Sequence, residues 1–213
     1  MTSGNSTNIS ETANESFTDG DQLTAGCKSR IADGVRSILQ TIGEHADPQG
    51  TADTPTRVAN MYDELLGGYS LNPEKVLNNA LFDVEYDEMV VVKDVEFYSL
   101  CEHHMLPFYG HAHVGYLPDR KVVGLSKIPR LVDMFAKRLQ VQERMTQQIA
   151  GAIDELVAPR GVGVVVEAHH LCAAMRGVRK PSTIMTTSSV RGEFRDNPST
   201  RDEFMSHLRS RSN

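Results

Sequence analysis

Two runs decide the fold: Met89-Val90-Val91-Val92-Lys93-Asp94-Val95-Glu96-Phe97-Tyr98-Ser99-Leu100 and Phe108-Tyr109-Gly110-His111-Ala112-His113-Val114-Gly115-Tyr116-Leu117. Both are rich in β-branched and aromatic residues, the composition of strands. In the second run Tyr109, His111 and His113 alternate with Gly110, Ala112 and Val114, the two-residue period of a sheet with unlike faces. Downstream, helical patterns cover about Ile128 to Leu139 and Val141 to Val157. Two more strand-like runs follow, Val162 to Ala173 and Thr183 to Val190. The order strand, strand, helix, helix, strand, strand predicts an α+β fold, an antiparallel four-stranded sheet with a helical pair on one face.

Upstream of these runs the pattern is helical. Ile31, Val35, Ile38, Leu39 and Ile42 recur at helical spacing, and Asp47-Pro48-Gln49-Gly50 breaks the run. Thr54 reads as the N-cap of a second helix with Pro55 in its first turn, and Gly67-Gly68 ends it. Asn72 to Leu81 reads as a short third helix. Ser199 to Arg209 reads as a terminal one, capped by Ser199 or Thr200. Residues 1–21 are polar and unpatterned and read as a disordered tail. Residues 22–82 form an N-terminal helical segment, expected to pack as one unit with the main domain over 83–213.

Composition narrows the function classes. A chain of 213 residues with 39% hydrophobic content can build a full core. A net charge of -6 without a basic block argues against nucleic acid, yet leaves room for a small polyanion held by a few local cations. No apolar run is long enough to span a bilayer, and the start of the chain lacks the apolar core of a secretion signal. Three cysteines are too few for a disulfide framework. Cys27 shares a helical face with Leu23, Ile31 and Val35 and reads as a small buried hydrophobe.

The other two cysteines sit in clusters, Cys101-Glu102-His103-His104 and His169-His170-Leu171-Cys172. Thiolate and imidazole are the ligands that a borderline-soft ion such as Zn²⁺ prefers. Cys101-x-x-His104 has the spacing of a local chelate, and Cys172 can complete a set of three. Three ligands leave one position open for chemistry on a bound water. Spacing leaves His103 and His104 as alternatives. His170 and Cys172, two apart, would share a strand face, with His169 facing the other way. His111 and His113 read as solvent-facing. Thiols that bind metal must stay reduced, which points to the cytoplasm.

The surrounding motifs resemble those of the GTP cyclohydrolase I family. They are Thr54-Pro55-Thr56-Arg57 with Met61-Tyr62, Cys101-Glu102-His103-His104, Gly124-Leu125-Ser126-Lys127-Ile128 with Arg130, Gln140-Val141-Gln142-Glu143-Arg144, His170-Leu171-Cys172 and Arg176-Gly177. They stand in the family's order over roughly Gln22 to Arg209.

The resemblance implies a T-fold and a zinc enzyme with one Zn²⁺ per subunit. Its substrate would be GTP, converted with water to 7,8-dihydroneopterin triphosphate and formate. It implies Cys101, His104 and Cys172 as metal ligands, and His103, His170 and Ser126 as proton-transfer groups. Glu143, with Gln142 assisting, would read the guanine edge, and Lys127, Arg130, Arg57 and Arg176 would hold the triphosphate. It implies a homodecamer of two pentamers with active sites between subunits. On composition alone Gln142-Glu143-Arg144 is the polar first turn of a helix, where acids suit the dipole. Two other readings compete: a T-fold relative acting on another purine or pterin, and a zinc-stabilised protein that binds GTP without turning it over.

Overall fold

The computed structural model describes residues 23–78 and 80–209, so the expectation for residues 1–21 lies outside the described residues. The chain separates into two compact units, one ending at Ser70 and one beginning at Leu71.

The first unit is helical. Helix α1 (Ala25–Ile42) starts where the Thr24 hydroxyl accepts the Cys27 N–H at 3.4 Å. Cys27 is buried, as its helical face predicts. The expected break carries a turn of its own, α2 (Pro48–Thr51), because the Asp47 carboxylate accepts the N–H groups of Gln49 and Gly50 at 3.1 and 2.9 Å. Helix α3 (Thr54–Leu65) takes Thr54 in as its first residue. The preceding Asp53 stands at the cap position without a capping side-chain bond. Asp63 on α3 binds the start of α1 twice, accepting the Leu23 N–H at 2.5 Å and pairing with Lys28 at 2.6 Å.

The second unit opens with α4 (Pro73–Leu77), capped by Asn72 and shorter than the sequence pattern because Asn78 turns left-handed at φ 45°. Strand β1 (Leu81–Asp83) follows, so Leu81 belongs to a strand rather than a helix. The two opening runs become β2 (Val90–Cys101) and β3 (Pro107–Leu117), paired antiparallel. Then come β4 (Lys121–Val123), which pairs with β1, and helix α5 (Lys127–Ala136). Strand β5 (Leu139–Gln140) and helix α6 (Gln142–Val157) follow. Strand β6 (Gly161–His170) runs directly into a helical turn, α7 (Leu171–Ala174). The chain closes with β7 (Met185–Gly192), α8 (Glu193–Asp196) and α9 (Pro198–Arg209). Helix α9 starts earlier than Ser199, because the Asn197 side chain accepts the Ser199 N–H at 3.0 Å.

Among the described residues the main sheet has the order β5-β2-β3-β6-β7. Its four long strands are the antiparallel set that the sequence predicts. The fifth, β5, is a two-residue strand parallel to β2. One sheet face carries Phe97, Phe108, Val164 and Val166 against Ile128 and Leu131 of α5 and Met145, Ile149 and Ile153 of α6, each at most 1% exposed. Burying each such side chain contributes about 1.5–3 kcal/mol.

The second face is not bare. Gly115 and Gly163 are opposite each other in register and make a floor for Phe194 of α8 and Phe204 of α9. A Cβ at Gly163 would lie 2.5 Å from the Phe194 ring, so only glycine fits there. The two rings meet edge-on at 5.4 Å.

This cover corrects one expectation. His113 is buried, not solvent-facing. Its Nδ1 accepts the N–H of Asp94 at 3.1 Å, where β2 bulges and Asp94 adopts φ 57°. His111, on the same strand face, is exposed.

Candidate metal centre and active site

Strand register brings the two Cys/His clusters together. Leu100 pairs with Pro107 and Phe108 with His170, so β2 and β6 end beside each other across β3. After Cys101 the chain folds back sharply. The N–H groups of His104 and Met105 both reach the Cys101 carbonyl, at 3.3 and 2.7 Å, and Met105 is left-handed at φ 53°. That turn swings His104 next to Cys101, which is the physical basis of the Cys-x-x-His spacing. Cys172 arrives from α7. It therefore sits on a helical turn and not on the strand with His170, because β6 ends at His170.

Ligand atoms of Cys101, His104 and Cys172 all lie within 4.8 Å of one another. Cys101 is buried, Cys172 half-buried and His104 exposed, so the trio opens to solvent on the histidine side. Burial pushes the Cys172 thiol up, and the neighbouring Cys101 pushes it further. A divalent cation reverses that balance by favouring thiolates. Two thiols and an imidazole in reach of one point fit a borderline-soft cation with an open position.

His103 is exposed, with Nδ1 3.8 Å from the Cys101 sulfur and Nε2 3.9 Å from Glu102. The sequence left His103 and His104 as alternatives, and the trio contains His104. Glu102 pairs with Arg144 of α6, which ties the loop to that helix. His104 Nε2 accepts a hydrogen bond from Arg176 Nη1 at 2.8 Å.

His170 closes the inner side of the site. Its ring stacks on Phe108 at 4.7 Å and 3°. Its Nε2 lies 2.8 Å from Gln142 Oε1. Burial pushes its pKa down, and the Glu143 carboxylate opposes that shift. Gln142 is itself only 1% exposed, and its side-chain nitrogen reaches Val166 O and Met185 O at 2.9 Å and Thr187 Oγ1 at 3.1 Å. Both hydrogens of that nitrogen are thus engaged within the protein. Glu143, the next residue, is exposed in the first turn of α6.

The remaining candidates are more dispersed. Ser126 and Arg130 are exposed at the start of α5 and Lys127 is half-buried. Among the described residues no hydrogen bond or ion pair joins these three to the trio. Arg57 lies on α3 of the first unit, 3.4 Å from Asp53. His169 faces away from the site and meets Tyr109 at 5.9 Å.

Sequence reasoning did not find the hold of Gln142 on His170, the Phe108 stack or the Glu102–Arg144 pair. The first had a signal. Gln142 stands three, seven and eleven residues before Met145, Ile149 and Ile153, on the buried stripe of α6.

Comparison with known proteins places the chain in one family. The family model described as GTP cyclohydrolase I matches residues 31–209. A GTP cyclohydrolase 1 from Campylobacter jejuni is 54% identical over 183 residues, 86% of this chain and 96% of that protein. One from Chlorobium phaeovibrioides is 50% identical over 195 residues, covering 92% of this chain and 87% of the relative. One from Gloeobacter violaceus is 53% identical over 175 residues, 82% of each chain. With a match across nearly all of the described residues, the chain belongs to the GTP cyclohydrolase I family.

Proposed function

We propose that this chain hydrolyses GTP to 7,8-dihydroneopterin triphosphate and formate, the entry reaction to folates and other pterins. The observation that carries the reading is the Cys101–His104–Cys172 trio standing beside a histidine, His170, held by a buried amide. Cys101, His104 and Cys172 would hold one Zn²⁺ per chain. When bound, that ion supplies the Lewis acidity that brings the ionisation of water toward neutral pH.

The chain's own residues do the rest. His103, exposed beside the trio, delivers a proton to purine nitrogen 7 and makes carbon 8 a better electrophile. One water opens the imidazole ring to a formamide, and a second releases formate. Closure of the new ring onto the rearranged sugar returns one water. His170 and Ser126 move protons at the sugar during these steps. Glu143 accepts hydrogen bonds from nitrogen 1 and the exocyclic amine of guanine, an edge that adenine does not offer. Lys127, Arg130, Arg176 and Arg57 bind the triphosphate, drawn from more than one chain. Gln142, buried with its side-chain nitrogen taken up by protein acceptors and its Oε1 on His170, acts through His170.

The working form is a homodecamer of two pentamers in the cytoplasm. Supporting it, among the described residues β7 pairs only with β6, leaving its outer edge open, and Ile38 and Ile42 on α1 are 61% and 45% exposed in the single chain. No helix among the described residues is long and apolar enough to cross a membrane.

The test is direct. Purified, zinc-loaded protein given GTP should release formate and a product that becomes a fluorescent pterin on oxidation. Cys172→Ser, which replaces a thiolate with a poor zinc ligand, should release neither. Absence of both products from the unaltered protein would refute the reading.

A further inference from the structure

We infer that Gln142 is a positioning residue that fixes His170 as one tautomer, with the proton on Nε2 and the lone pair on Nδ1. The inference rests on the proposed role of His170 and specifies which of its ring nitrogens is left bare.

Proton order can be followed through the network one group at a time. Thr146 Oγ1 donates to the main-chain carbonyl of Gln142 at 2.7 Å, which uses its only proton. Thr187 Oγ1 lies 2.7 Å from Thr146 Oγ1, so Thr187 must be the donor of that pair. Its oxygen is then an acceptor toward Gln142 Nε2 at 3.1 Å. The same nitrogen faces the carbonyls of Val166 and Met185, which can only accept, both at 2.9 Å. Turning the amide, which is only 1% exposed, over would set Oε1 against two carbonyl oxygens, an arrangement with no hydrogen to share. Oε1 therefore points at His170 and can only accept. His170 Nε2, 2.8 Å away, must carry the hydrogen.

The stack on Phe108 holds the ring plane. Rotating the ring to present Nδ1 to the amide would break that stack or the hydrogen bond. Nδ1 is thus the nitrogen of His170 left with its lone pair exposed to a hydrogen-bond donor. The remote hydroxyls of Thr146 and Thr187 complete the chain of orientation.

Two measurements test this in the zinc-loaded protein. The first is magic-angle-spinning NMR of protein with ring-¹⁵N histidine, with His170 assigned by difference from His170→Asn. The expected spectrum has a protonated Nε2 and a bare Nδ1. A protonated Nδ1 with a bare Nε2 overturns the inference.

The second is Gln142→Met, which keeps the length and removes every hydrogen bond. With zinc content and KM for GTP unchanged, kcat should fall by at least about tenfold, and a ring-opened formamido compound should accumulate. Normal turnover to the finished pterin overturns the inference, as does a loss that only follows lost zinc or a lowered Tm. If His170→Ala turns over normally, the role of His170 in proton transfer fails, while the NMR result still decides the tautomer. If Gln142→Met does not fold, the NMR measurement alone decides.

Discussion

Glu143 and Gln142 are neighbours with opposite situations. Gln142 is buried and fully bonded, while Glu143 projects from the first turn of α6 into solvent. An exposed carboxylate beside the site is free to meet a ligand, and its charge already acts on His170. Glu143→Gln keeps the shape and loses the charged double acceptor. Each charged hydrogen bond contributes about 1.5–3 kcal/mol, so GTP turnover should fall about tenfold to a hundredfold or more. Zinc content, measured by metal analysis, should not change. Near-normal kinetics would remove Glu143 from the site.

At this scale the sequence was legible where chemistry is local. The Cys-x-x-His spacing reflects a single tight turn. It was not legible where the third dimension decides. His111 and His113 look equivalent along the strand, yet one is exposed and the other caps a bulge under the C-terminal segment.

The elements explain that difference. The order and approximate limits of the long strands and helices followed from period and composition alone. What did not follow was set by partners distant in the chain. The two residues of β5 become a strand only because β2 lies alongside. Cys172 leaves the strand because α7 begins as soon as β6 ends. The bulge in β2 offers its own test.

His113 binds the Asp94 N–H through Nδ1, a bond that needs the neutral ring. Burial pushes its pKa down against the pull of Asp94 and Glu167, with His111 and Lys93 adding to the depression. Arg209 of α9 lines the same cavity. A depressed value means that the folded state binds fewer protons than the unfolded one. The stability His113 contributes is present above about pH 6.5, the unfolded value, and is lost as the pH falls through the folded one. The Tm of the native protein should therefore drop more between pH 8 and pH 5 than that of His113→Asn, whose amide oxygen accepts the same N–H without titrating (about one bond, ~1 kcal/mol). Equal slopes in thermal melts would show that His113 does not titrate on unfolding.

At the scale of the whole molecule the trio brings together β2 and α7, which among the described residues no backbone hydrogen bond joins. Cys101 ends β2 and Cys172 follows β6, with β3 between them. An ion held at both points closes a long loop of chain. The chain-entropy relation for such a closure gives an upper value of about 4 kcal/mol. Stripping the protein with a chelator should lower the Tm by several degrees, and hydrogen exchange should rise at Cys101–Leu106 and His170–Ala174. Exchange around Gly115, Gly163 and Phe194, at the other end of the sheet, should change little. A uniform rise, or none, would show that the ion does not brace the fold.

The same arrangement makes metal uptake a check on assembly of the sheet. Side chains alternate faces along each strand, so a slip of one residue between β3 and β6 would turn His170 to the far side and carry Cys172 along with it. A chain folded out of register would still hold Cys101 and His104, a weak two-point chelate from one local turn. Only the correctly paired sheet offers the third ligand. Capture of an ion at the trio would therefore discriminate between right and wrong pairings before any substrate arrives, and misfolded copies would stay both loose and inert.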